Sequence, residues 1–155
     1  MRMLCRDRNA LEGLPLKLLI TSLVISLCAP ALNGALSYLE YSTDVAWGTE
    51  QAEKVRASAL SAFVGGSGNV RTIVLELGSG DMGSSIRLGG GEDDPGSSLI
   101  EVLWRGRVAA TVALESPAFR ILTSDGMPVL IEGHVSVRLL CVETGRGLAV
   151  LAEVG

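Results

Sequence analysis

At 155 residues and a formal net charge of −4, the chain holds one compact domain at most once its apolar opening is set aside. Arg2, Arg6, Arg8 and Lys17 all lie at the start, so from Gly34 onward nine basic residues face fifteen acidic ones, which excludes the basic stripe of a nucleic-acid interface. An aromatic content of 4% excludes platforms for base stacking as well.

Residues 1–13 form a short polar leader, and an apolar segment follows over 14–36. From Leu14 to Leu32 the sole charge is Lys17, near one end, where its stem can carry the ammonium to an interface. Roughly twenty residues at about 1.5 Å each match the hydrocarbon layer, so the segment predicts a transmembrane helix, with a kink at Pro30. Three alternatives compete. A cleaved secretory signal has Ala29-Pro30-Ala31 as its small residues, with a proline between them. A lipoprotein signal would need a small residue before Cys28, where Leu27 stands. A buried helix of a soluble protein would need more chain around it than this length supplies. Basic residues before the span and an acidic region after it put the N-terminus in the cytoplasm and the C-terminal domain outside the cell membrane.

The leader, then Gly13, then an apolar helix opening at Leu14, resembles the class III signal peptide of archaeal type IV pilin-like proteins. That resemblance implies cleavage by a prepilin peptidase between Gly13 and Leu14, with the helix kept on the mature subunit. It also implies a long helix bearing a β-rich head. Glu12 stands where the family pattern has Lys or Arg, and Leu18 where bacterial pilins carry glutamate.

Residues 37–64 continue as an amphipathic helical stalk. Leu39, Val45, Ala46, Ala52, Val55, Leu60 and Phe63 recur at three- and four-residue spacings, and Glu50 with Lys54 makes an i,i+4 pair. Gly48 is expected to weaken this helix, and the glycines at 65–68 end it. Val55, Leu60 and Phe63 are placed to cover a sheet of the following domain.

Over 65–155 the period changes to two. Ile73, Leu75 and Leu77 point one way, with Thr72 and Glu76 the other. Ile100, Val102 and Trp104 share one face before a tight turn at Arg105-Gly106, and the alternating Val108, Ala110, Val112 and Leu114 follow it. Shorter strands are expected at 84–88, 119–122 and 128–131. The last hairpin sets Val135, Val137, Leu139 and Cys141 inward, turns at 144–147 and ends with 148–154. The predicted fold class is α+β: a long N-terminal membrane and stalk helix, then an antiparallel β-sandwich of seven or eight strands.

No constellation points to catalysis or a cofactor. The glycines of 78–83 match a dinucleotide fingerprint in form, but a strand follows where a helix N-terminus is needed. Glu92, Asp93 and Asp94 cluster on a loop without the spaced oxygens of a calcium site, and read as a solvated, mobile loop. His134 is the lone histidine, so no multi-histidine metal site exists, and no acidic residue is locally placed to orient it as a base. Cys5, Cys28 and Cys141 fall in three different compartments of this topology, so no disulfide is expected and Cys141 reads as a small buried hydrophobe.

The expected function is therefore structural. The chain would be a subunit of an archaeal type IV pilus-like filament, stored in the membrane and assembled with copies of itself or other pilin-like subunits. Leu14, Leu18, Leu19, Ile20, Leu23, Val24, Ile25 and Leu27 would pack against lipid first and neighbouring helices later. The alternative is a permanently anchored β-sandwich that grips an envelope protein or polymer, similar to accessory subunits of archaeal motility filaments; Glu12 and Lys17 favour it.

Overall fold

The computed structural model describes the backbone of residues 8–78, 83–114 and 119–155, and the side chains among them from residue 16 onward. The leader residues 1–7, and with them Cys5, lie outside the described residues, as do the central residues of the glycine-rich 78–83 stretch. One helix, α1 (Arg8–Val64), is followed by eight strands: β1 (Val70–Glu76), β2 (Ser84–Leu88), β3 (Leu99–Trp104), β4 (Arg107–Ala113), β5 (Ile121–Thr123), β6 (Val129–Ile131), β7 (His134–Thr144) and β8 (Gly147–Val154). The chain divides into two compact units, Met1–Glu40 and Tyr41–Gly155.

The described part of the first unit, from Arg8 onward, is helical. Its helix is assigned through Pro30, whose lost N–H removes one rung of the ladder. Thr21 Oγ1 donates to Lys17 O at 2.8 Å, Ser22 Oγ to Leu19 O at 2.9 Å and Ser26 Oγ to Ser22 O at 2.7 Å. These hydroxyls are thus satisfied by the helix's own backbone.

In the second unit the end of α1 stops at Gly65 and Gly66. Gly65 N donates to Ser61 O and Gly66 N to Phe63 O, and Gly66 adopts φ 82°, the left-handed closure that glycine accepts without strain. Two four-stranded sheets follow, ordered β1-β7-β8-β5 and β4-β3-β2-β6. The pairing is antiparallel throughout except for β5, which lies parallel to β8 with Ile121 opposite Val150. The antiparallel two-sheet domain read from the sequence is present with that one exception, and a three-residue strand has too little pattern to disclose its direction. β5 also begins two residues later than expected, and Phe119 is instead a buried residue stacked on Phe63 with ring centres 5.3 Å apart.

The inner faces of the sheets, with Leu75, Ile86, Ile100, Val102, Val137 and Val150, form one core with Ala52, Val55 and Ala59 of α1. Cys141 closes the same core, as the alternation in β7 predicts. Val108 does not join it. A register shift between Val102 and Leu103 pairs Leu103 with Val108 and Val102 with Ala110, so one extra residue on β4 turns Val108 outward to 50% exposure. Beside it on β3, Leu103 is buried and Trp104 half-buried.

Candidate functional site

The first candidate is the apolar run of α1. Leu18, Leu19, Ile20, Leu23, Val24, Ile25 and Leu27 are all exposed, from 51% at Ile20 and Val24 to 70% at Leu27. At about 100° per residue these positions take every side of the helix, so no polar face exists to meet water. Among the described residues, α1 is long and apolar enough to cross a membrane, and its most apolar stretch has no buried residue. Gly13 and Leu14 lie on α1, with side chains outside the described residues. Cys28 is exposed within the run.

The second candidate is the seat of the helix within the Tyr41–Gly155 unit. Val55 is fully buried there, whereas Leu60 and Phe63 are half-buried against the core. The helix approaches the strands closely at Gly48, where a Cβ would stand 2.6 Å from Val102 Cγ1 and 2.9 Å from Ser84 Cβ. Two tryptophans tie the helix to the strands. Trp47 Nε1 donates to Glu76 O at 2.6 Å, and Trp104 Nε1 donates to Asp44 Oδ2 at 3.2 Å. Tyr41 meets Trp104 edge to face, ring centres 5.1 Å apart. Lys54 lies over the Trp47 ring at 5.5 Å and pairs with Glu50 at 3.6 Å. Sequence periodicity points to the buried apolar positions of this seat. It gives no signal for Gly48, Gln51, Asp44 or the tryptophan bonds, which depend on what lies opposite.

The acidic loop is tied into the domain. Asp94 caps a short 3₁₀ turn, Pro95–Ser98, by accepting from Gly96 N at 2.8 Å, and Ser97 is buried beneath it. Asp93 pairs with Arg146 at 2.5 Å, while the Glu92 carbonyl accepts from Arg120. The loop thus holds a capped turn, one charge pair and one backbone tie, with the Asp93 side chain largely in solvent as the sequence suggests. Among the described residues no three His, Cys, Asp or Glu side chains are grouped to hold a metal ion. Beside this loop lies an open pocket of about 180 Å³ lined by Phe119, Leu122, Ala149, Arg120 and Arg146. It is smaller than the roughly 300 Å³ at which ligand sites begin.

His134 has a neighbour that its sequence surroundings do not disclose. The β1–β7 register sets Glu76 opposite, with Oε1 3.9 Å from Nδ1 and both side chains mostly exposed. An exposed pair at this distance contributes little to stability. Among the described residues, the perturbed titratable group is Cys141, whose thiol burial pushes above its ordinary range. Its Sγ faces Phe63 O at 4.0 Å.

Taken together, the features define an α+β protein in which a membrane-length apolar helix precedes a two-sheet β-domain. Comparison of the chain with protein-family models, with curated proteins and with solved structures finds no match.

Proposed function

We propose that the chain is a pilin-like structural subunit, held in the cell membrane by its N-terminal helix and assembled through that helix into an archaeal type IV pilus-like surface filament. The observation that carries this reading is the division of labour along α1. Leu18 to Leu27 offer apolar side chains on every side, while Val55 and Ala59 are fully buried among strands. Hydroxyls bonded back onto their own helix suit a segment surrounded first by lipid and then by neighbouring helices, since neither supplies water. On this reading a prepilin peptidase cuts between Gly13 and Leu14, the N-terminus faces the cytoplasm and the β-domain faces outward. The mass of the mature chain tests it. A chain starting at Leu14 and recovered in filaments supports assembly; an intact Met1 with no filaments contradicts it.

Lys17 favours a second reading. An ammonium inside a helix bundle needs a buried partner, whereas at a bilayer interface it reaches water. A permanently anchored β-domain that binds an envelope protein or polymer would keep Lys17 at that interface for good.

A further inference from the structure

The chain holds two Trp and two Tyr, and they are Tyr38, Tyr41, Trp47 and Trp104. The first three follow the apolar run along α1; the fourth is sixty residues away in sequence, at the end of β3. Its ring is nonetheless brought to Tyr41 at 5.1 Å and its indole N–H to Asp44. Tyr and Trp with one apolar and one wet end are the residues that settle at the membrane–water boundary. Tyr41 lies five residues along the chain beyond the apolar segment that ends at residue 36, so a bilayer around that segment has its boundary close to Tyr41 in sequence, and Tyr41 is the residue that Trp104 touches.

The turn beside Trp104 carries the second observation. Arg105 and Gly106 connect β3 to β4 with φ values of 50° and 74°, the two-residue turn with positive φ at both positions. Asn, Asp or Gly takes the first position with least strain, and among the described residues Arg105 is the non-glycine found at positive φ. Its guanidinium lies over the Trp104 ring at 4.3 Å. Arg107 and Val108 beside it are exposed. From Trp104 to Val108 the tip thus has an indole, two arginines and an exposed valine, without an acidic residue, on a region whose formal balance is otherwise acidic.

We propose that this hairpin tip docks on the anionic phospholipid headgroups of the membrane that α1 enters. The inference rests on the membrane-held reading above and adds a lipid-binding surface to it. Arg105 and Arg107 pair with headgroup phosphates, for which the planar guanidinium is well shaped, while Trp104 and Val108 sit among the glycerol and first methylene groups. The contact fixes the height and rotation of the β-domain on the bilayer while the subunit is stored there.

The test uses the full chain reconstituted in phosphatidylcholine vesicles with and without phosphatidylglycerol, the lipids carrying bromines near the headgroup end of their acyl chains. Trp104 is read by its fluorescence quenching in a Trp47→Phe variant, with the unsubstituted chain measured in parallel so that the result does not depend on that variant's folding. Quenching is expected with phosphatidylglycerol present, about twofold or more weaker without it, at high salt, or after Arg105→Gln with Arg107→Gln. The arginine variants should fold and melt close to the unsubstituted temperature, since both side chains are exposed and the surface contact of Arg105 with Trp104 adds little. Absent quenching, or equal quenching in neutral and anionic vesicles, overturns the inference while a chain that still floats with the vesicles after an alkaline wash keeps the membrane-held reading. A chain that fails to float overturns both.

Discussion

Gly48 of α1 rests directly on Val102 of β3: a Cβ added to the glycine would stand 2.6 Å from Val102 Cγ1. In an isolated helix Gly48→Ala would gain about 1 kcal/mol of helix propensity. Here the added methyl meets a fully buried, β-branched side chain and the Ser84 Cβ at 2.9 Å, neither of which can swing aside cheaply. With overpacking at about 1–3 kcal/mol against that gain, the expected net result is a destabilisation of up to about 2 kcal/mol, read as a lower melting temperature in detergent. Gly34→Ala, which meets no atom within 4 Å, serves as the control and should not lower it.

Val55, Ala52, Ala59 and Ala62 are fully buried, so the end of α1 is part of the β-domain's core. A fragment beginning at Tyr41 should be soluble and melt cooperatively. One beginning at Gly66 loses those contacts and the Phe63–Phe119 stack. At about 1.5–3 kcal/mol per large buried side chain, the loss approaches the roughly 5–15 kcal/mol total of a small domain, so the shorter fragment should aggregate or melt far lower. Equal melting temperatures would show the helix to be a free tether.

Gln51 is 1% exposed, and its Nε2 has no hydrogen-bond partner among the described residues. A buried amide donor without an acceptor costs about 1–3 kcal/mol, so an apolar side chain of similar volume should do better. Gln51→Met is expected to raise the unfolding free energy by about 1 kcal/mol in denaturant titration. A loss of stability would mean that a water or a neighbouring carbonyl satisfies the amide.

Burial raises the Cys141 thiol above its ordinary value, because desolvation disfavours the thiolate. The unfolded chain therefore releases that proton at lower pH than the folded one. The contribution to stability is complete below the ordinary thiol value and is lost as pH rises through the folded value. Denaturant midpoints should fall over this alkaline range in the native chain and fall less in Cys141→Ala. Parallel slopes would contradict the assignment.

Much of the fold is legible in the sequence, for identifiable reasons. Strands with one buried face show it by alternation, as Val135, Val137, Leu139 and Cys141 do in β7, and the Arg105-Gly106 and 144–147 turns mark their hairpins. Short strands leave too few positions: nothing within Ile121–Thr123 says that it runs parallel to β8. The extra residue that turns Val108 outward is equally silent, since the apolar pattern continues through it. At the candidate site, the apolar run of α1 is plain from composition. Gly48 reads as a helix breaker until Val102 is seen opposite. Trp104 reads as one more position on the face of its strand, and nothing in the sequence pairs it with Asp44, to which the fold brings it at 3.2 Å.

The central claim is that the apolar run of α1 lies in a bilayer, and Cys28, exposed in its middle, reports on it directly. With Cys5→Ser and Cys141→Ser leaving Cys28 as the remaining thiol, cell membranes opened on both sides are treated with a water-soluble maleimide. Such a reagent reaches thiols in contact with water. The account predicts no labelling of Cys28 until detergent is added, with the chain retained in the membrane through an alkaline wash. Prompt labelling without detergent, together with release of the chain by the wash, would contradict it.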